Sequence, residues 1–403
     1  KLTIFFLTLA PITFILGNFS INLFFILISI IFYYEVFVNK EREFLKDPIF
    51  WLILFFCISL LVNVIFSLYP INSLPRVLKV ILLIGFIFQT KSIIQKHNNV
   101  FEKFICAIWS IIFLVLLVDI IYEVIFGVNT IGTITYLPGR IASFFGDELV
   151  VGHFILGFTL IILSYVLNLV PNIKKYSLLL IIFLILISFL IGERSNFTKF
   201  FIIISIFTLI VIKPSWKFIL IFISILILTI FTVVKSEHPV ADIYETRYVD
   251  QLQQILDKKN LGTYLKSSQY GAHYNGALKI FKEYPIFGIG IKNFRKEISK
   301  KKYENKEYLR TLSRWATHPH QIHYEFLSET GLFGYLSFLI FILSSIFLSI
   351  KSYLKHKNNF QLSSILFILI SLAPMIPTGS FFSTFSSGLF WINYAIMIGY
   401  IKK

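Results

Sequence analysis

Cysteine is almost missing from this chain, with two in 403 residues, Cys57 and Cys106, each set inside an apolar run. So thin a supply excludes a disulfide framework and a cysteine-built zinc site. Charge is also scarce, at 14% of residues against 57% apolar, with 46 Phe. One soluble core cannot absorb that much apolar surface, so the chain belongs in a bilayer. Gly288 and Gly290 lack the third glycine and the preceding strand of a dinucleotide fingerprint. They read instead as a tight turn that needs positive φ. The first apolar run has no small-residue cleavage site and is closely followed by another, which makes it a retained span and not a signal peptide. The net charge of +16 raises nucleic acid as a partner, yet many basic residues fall between apolar segments, where anionic lipid and topology account for them. No nucleic-acid partner is expected.

What the chain does have is a series of apolar runs long enough to cross a hydrocarbon core of ~30 Å. They lie at roughly 3–17, 19–38, 49–68, 74–90, 104–126, 149–170, 176–192, 197–212, 216–234, 331–350, 360–376 and 382–400. The expected fold is an all-α polytopic membrane protein of about twelve transmembrane helices with one large periplasmic segment. Residues 1–234 hold helices 1–9, residues 235–330 the outer segment with its histidines, and residues 331–403 helices 10–12. With a cytoplasmic N-terminus, fifteen Lys and Arg flank the inner connections, while five (Arg76, Lys79, Arg140, Arg194 and Lys199) flank the short outer ones. That bias places both termini inside and the long segment outside, on the periplasmic face of a bacterial inner membrane.

The run from Arg314 to Gly334, RWATHPHQIHYEFLSETGLFG, is polar and histidine-rich and leads into an apolar helix. If it is helical, His320, His323, Tyr324 and Leu327 share one face. His318 precedes Pro319 and is expected to be non-helical. Arg140 and Arg194 come from elsewhere in sequence, but the charge bias puts them at the same membrane surface as His320. Arginine is disfavoured in short outer loops; an anionic ligand would account for two of them, and so would snorkelling to lipid head groups. Asp119 and Glu123 lie four apart near the outer end of a span, where an acid is a functional candidate by default, either for an acceptor or to balance the arginines. Asp147 and Glu148 are placed to orient Arg140. The long outer segment carries sixteen basic and nine acidic residues, about +7 in net charge. Within it, 249–259 and 272–283 have helix-like apolar spacing, and Pro285 ends the second helix.

His320 followed by Leu327, Glu329, Gly331 and Gly334 resembles the H-N-x-x-L-x-x-L-x-E-x-G-x-x-G block of the O-antigen ligase and O-antigen polymerase superfamily of bacterial membrane glycosyltransferases. Pro285, Gly288, Gly290 and Phe294 match the P-x-x-G-x-G-x-x-x-F run that often precedes that block. Arg140 with Phe145 is similar to the family's R-x-x-G-x-F region, and Arg194 to its Ser-Arg dipeptide. The resemblance covers roughly 140–334. Ser143, Glu193 and Gln321 depart from the usual Gly, Ser and Asn. A third arginine upstream of the glycine run is replaced by Tyr270, Gly271, Ala272, His273 and Tyr274, with His273 or Lys266 as its stand-in.

The resemblance implies a GT-C-like membrane fold and transfer of a glycan from undecaprenyl diphosphate to an acceptor hydroxyl, with inversion. The partners it implies are the undecaprenyl-diphosphate-linked glycan, a lipid A core or glycan acceptor, and membrane lipid. A basic lid would attract the diphosphate. A sugar hydroxyl needs a base, and imidazole, with a pKa of about 6.5, suits neutral conditions; the base is His320, with His318 as second choice. The leaving diphosphate gains charge that guanidinium forks accept bidentately, a role for Arg140, Arg194 and Arg314. His323, His273, Asp119 and Glu123 support the site, and Glu329 fixes the histidine segment by hydrogen bonding. No D-x-D run occurs, so neither a metal nor another cofactor is expected. Ligase and polymerase share the motif; the single large outer segment before the histidine block favours the ligase. A lipid-linked glycan transporter would show internal repeats and broken helices at the midplane, and the sequence has neither. For a non-catalytic scaffold the grouping of His320, Arg140 and Arg194 would be coincidence.

Overall fold

The computed structural model describes residues 1–137, 139–146, 148–169, 177–235, 241, 253, 256, 261–308, 310–374 and 376–402. Asp147 and all of the helix expected over 249–259 except residues 253 and 256 lie outside the described residues. The longer helices, in chain order, are α1 (Leu2–Thr8), α2 (Ala10–Ile15), α3 (Asn18–Phe37), α4 (Pro48–Ile65), α5 (Pro70–Lys96), α6 (Cys106–Phe126), α7 (Val151–Leu169) and α8 (Ser177–Leu190). They continue with α9 (Arg194–Phe207), α10 (Trp216–Val234), α11 (Leu261–Ser267), α12 (Gln269–Glu283), α13 (Phe294–Ile298), α14 (Ile322–His356), α15 (Asn359–Ser371) and α16 (Thr384–Gly399). No strand occurs among the described residues.

Seven helical segments among them are long and apolar enough to cross a membrane: α3, α4, α5, Val100–Phe126, α7, Arg194–Ile212 and α14. Twelve were expected. The first apolar run is not one helix: it breaks at Leu9 between α1 and α2, where Pro11 has no N–H to continue the ladder. The helices α8, α15 and α16 have 14, 13 and 16 residues, short of the ~20 a straight crossing needs. Local chemistry sets the other boundaries. Asp47 accepts the Ile49 N–H at 3.0 Å ahead of Pro48 at the start of α4, and Gly127 closes α6 in the left-handed region at φ 72°.

The described chain divides into two compact units. The first comprises Lys1–Phe24, Ile93–Gln253 and His356–Ile370. Its core is aromatic: Trp109 meets Phe158 edge-on at 5.3 Å, Phe14 meets Phe158 at 5.9 Å, and the Trp109 indole N–H is satisfied by the Leu7 carbonyl at 2.9 Å. The second comprises Phe25–Ser92, Gln254–Lys355 and Ser371–Lys403. There Phe56 stacks on Phe341 at 5.5 Å and Phe326 on Phe338 at 4.1 Å. The Ser59 and Ser337 hydroxyls pair at 2.5 Å, which satisfies two polar groups between apolar helices. Arg140 and Arg194 belong to the first unit, and His273, His318, His320 and His323 to the second.

Candidate active site

The histidine segment is held by two glycine loops that dock on each other. Gly331 interrupts α14 at φ 64°, ψ −168°, which frees the carbonyls before it. The Ile289 and Gly290 N–H groups then donate to the Ser328 and Glu329 carbonyls at 3.1 and 2.8 Å, and the Leu332 and Phe333 N–H groups return bonds to Pro285 and Ile286 at 2.8 and 3.0 Å. Side chains at the contact are impossible. A Cβ on Gly288 (φ +67°) would stand 2.5 Å from the Glu329 carbonyl carbon, and one on Gly331 (φ +64°) 2.4 Å from the Ile286 oxygen. The Asn63 amide completes the joint by donating to the Phe287 and Glu329 carbonyls at 2.5 and 3.0 Å. Glu329, fully buried, accepts the Lys292 N–H at 2.8 Å and the Phe294 N–H at 3.1 Å. The two motifs read separately along the chain are therefore one joint, and Glu329 is its pin.

Helix α14 begins only at Ile322, so His320 does not share a helical face with His323, Tyr324 and Leu327. Pro319 disfavours helix before it, and Gln321 caps the helix after it: its side-chain oxygen accepts the His323 and Tyr324 N–H groups at 2.7 and 3.3 Å. His320 sits in the left-handed region at φ 56°, with its carbonyl bonded to the Thr378 N–H at 2.8 Å. A residue other than glycine is uncommon there, although histidine adopts the region more readily than most.

Around His320 lie His318, His273 and Tyr270, at ring distances of 4.1, 5.0 and 6.0 Å. The neighbours are fixed. His273 Nε2 meets the Ser313 carbonyl at 2.7 Å, and His318 Nε2 meets the Thr378 carbonyl at 3.3 Å while its Nδ1 faces the Thr317 hydroxyl at 2.9 Å. A carbonyl only accepts, so in both rings the proton is on Nε2. His323 is tied away from this cluster, with Nε2 on the Leu372 carbonyl at 2.8 Å and Nδ1 on the Tyr335 hydroxyl at 3.0 Å. His320 alone has no hydrogen bond to either ring nitrogen among the described residues. Burial, and then the neighbouring His318 and His273, push its pKa down to about 3. Burial and the Lys292 charge take His318 down to about 4, and burial lowers His273. The expected value near 6.5 does not hold for His320, because the pocket is desolvated and already contains two imidazoles.

Two further groups here were not singled out in the sequence. Glu325, fully buried in the first turn of α14, accepts the Ser380 hydroxyl and the Phe381 N–H, the latter at 2.8 Å. Lys292 Nζ donates to the same Ser380 hydroxyl at 2.6 Å. Arg314 is 3% exposed; its Nη1 donates to the Thr311 carbonyl at 2.9 Å, and the guanidinium lies over the Trp315 ring at 5.5 Å. No carboxylate pairs with it among the described residues, and its Nε has no partner. Buried charges are ordinarily paired, so Arg314 is short of a counter-ion.

In the first unit, Asp119 and Glu123 shape the loop that carries Arg140. Asp119 accepts the Thr130 N–H at 2.8 Å and the Thr130 and Ser143 hydroxyls at 2.5 Å each; Glu123 accepts the Ala142 and Ser143 N–H groups at 3.1 and 2.6 Å. Both acids are buried, at 1% and 2% exposure, with their oxygens taken by the protein. With those bonds they hold Ser143 at its positive φ of 48°. The same loop meets the turn before α9, where the Ile141 N–H donates to the Ile191 carbonyl at 3.2 Å. A Cβ on Gly192 (φ +78°) would stand 2.4 Å from the Gly139 oxygen. The segments bearing Arg140 and Arg194 are thus joined. Glu193, between them, lies 3.4 Å from Arg140 Nη2. No group of three or more His, Cys, Asp or Glu with metal-binding geometry occurs among the described residues.

The helices and the buried polar clusters define a multi-pass membrane protein. Residues 178–339 match the family described as O-antigen ligase. That match, over 178–339, supports the resemblance to the O-antigen ligase and polymerase superfamily. The matched stretch runs from α8 through Arg194 and both glycine motifs into α14; Arg140, Asp119 and Glu123 precede it. No curated protein matches the chain.

Proposed function

We propose that the protein is an O-antigen ligase-like glycosyltransferase of the bacterial inner membrane. It transfers a glycan from undecaprenyl diphosphate to a hydroxyl of a lipid A core acceptor at the periplasmic face. The observation that carries this reading is His320: an imidazole with both nitrogens unengaged, neutral, and held at positive φ among rings whose own protons are fixed. Its free lone pair takes the acceptor proton as the hydroxyl oxygen attacks the anomeric carbon, and the carbon–oxygen bond to the diphosphate breaks. Burial disfavours the imidazolium so formed, so the ring takes the proton only as the bond to the diphosphate breaks and gives it up afterwards.

Arg140, Arg194 and Arg314 receive the departing diphosphate. Arg314 is supported in this by its missing counter-ion, and the arginine pair by their shared, rigidly braced turn. Charge stabilisation of this kind needs no metal. Polymerase activity, joining one repeat unit to another, uses the same groups and is the second reading; the single large segment before the histidine block favours ligation. The test is His320→Ala, which is expected to abolish capped lipid A core while the protein still accumulates in the membrane. Normal capping in that variant overturns the enzyme reading.

A further inference from the structure

We infer that Glu193 is the positioning residue of the arginine pair, locking the Arg140 guanidinium by one corner so that its opposite edge is presented to a phosphate oxygen. The inference rests on the diphosphate role proposed for the arginines. Three observations support it.

First, the guanidinium is held on Nη2 alone. That nitrogen donates to the Leu149 carbonyl at 3.2 Å and faces Glu193 Oε1 at 3.4 Å, so both of its protons are used. Nη1 has no partner among the described residues, and neither has the buried Nε. A guanidinium fixed at one nitrogen keeps two N–H groups on the other, a ready pair for a phosphate.

Second, Glu193 is itself immobilised. It is 7% exposed, its Oε1 accepts the Gly152 N–H at 3.1 Å, and its Oε2 accepts the Asn196 amide. The chain makes room for it: a Cβ on Gly152 would lie 2.9 Å from Oε2 and 3.0 Å from the carboxyl carbon. A carboxylate so enclosed does not swing away when a ligand arrives.

Third, Glu193 immediately precedes Arg194, the first residue of α9. A cation at a helix N-terminus is poorly placed against the helix dipole, and the adjacent carboxylate offsets that. One side chain thus anchors Arg140 directly and balances Arg194 through the backbone. An ordinary structural counter-ion would make the same contacts but would leave ligand affinity unchanged.

The experiment measures binding of undecaprenyl diphosphate to the full-length protein in detergent, with inorganic pyrophosphate as soluble competitor. Glu193→Gln keeps the size and the acceptor for Gly152 but removes the charge. It is expected to weaken binding by about tenfold, the scale of one charge-assisted hydrogen bond, with the acceptor KM unchanged. Gly152→Ala, which displaces the carboxylate without touching either arginine, should weaken binding in the same direction. In an Arg140→Ala background Glu193→Gln should lose most of its effect, keeping only the smaller part that passes through Arg194. Wild-type affinity in both single variants, or a full additional loss in the Arg140→Ala background, overturns the inference. Failure of the wild-type protein to bind the lipid diphosphate overturns the arginine reading itself, and is distinct from either result.

Discussion

Acidification should unlatch the histidine cluster, and the size of the effect follows from where the protons go. In an unfolded chain His318 and His320 titrate near ~6.5; folded, they are held at about 4 and about 3. Between those values the unfolded chain binds protons that the folded chain refuses. Folded-state stability is therefore complete above ~6.5 and is lost as pH falls through that range. At about pH 5 each histidine has cost ~2 kcal/mol, since one pH unit below the unfolded value is worth about 1.4 kcal/mol. Both folded values lie well under pH 5, so the figure depends little on their placement. His320 is partly open to solvent, which makes its share the smaller, and His273 adds to the loss in the same direction. The assay is thermal unfolding in detergent at a series of pH values, comparing wild type with a His318→Gln, His320→Gln double variant. Wild type should lose ~3–4 kcal/mol more than the variant between about pH 7.5 and pH 5. Equal losses, or an NMR titration of His320 centred near 6.5, would refute the argument. The same shift predicts a transfer rate with no rising limb at the ordinary histidine value.

Two substitutions probe the docked loops. Gly331→Ala forces a side chain into the left-handed region and against the Ile286 carbonyl oxygen, 2.4 Å from the built Cβ. It should destabilise by roughly 2–3 kcal/mol or more, read as a fall in membrane accumulation and melting temperature. Glu329→Ala leaves the Lys292 and Phe294 N–H groups without their acceptor and should destabilise by ~1–3 kcal/mol for each. Glu329→Gln, which keeps one oxygen, should recover about half of that; no difference between Gln and Ala would show that the carboxylate oxygens do not hold the joint.

Much of the helical layout was legible because burial in lipid writes a simple code: long apolar runs with basic residues between them. The expected runs 19–38, 49–68 and 216–234 correspond to helices at Asn18–Phe37, Pro48–Ile65 and Trp216–Val234. The code fails where a run is apolar but interrupted. Pro11 splits the first run, and Gly331 bends the polar start of α14 away from its apolar remainder, because both act on the backbone ladder and hydropathy does not register that. The end of the run expected at 360–376 was misplaced for a related reason. Its helix stops at Ser371, and the residues after it are used as loop.

The candidate site divides along the same line. The proposed base and the residues that build its loop joint are visible as residue types at fixed offsets: His320, Glu329 and the glycines at 288, 290, 331 and 334. What orients them is largely main chain. His273, His318 and His323 are aimed by the carbonyls of Ser313, Thr378 and Leu372, and every residue type supplies a carbonyl. No pattern in those three positions can announce the role. Gln321 shows the same logic from the other side, since the superfamily's Asn and this chain's Gln both offer an amide oxygen, and the oxygen is what stops α14 one residue past His320. The departure at Gln321 therefore leaves this loop with a side-chain oxygen that caps the helix. His320 owes its unengaged ring to that cap, because a helix continued back through 320 would remove the left-handed turn and carry the imidazole off the stack formed by His318 and His273.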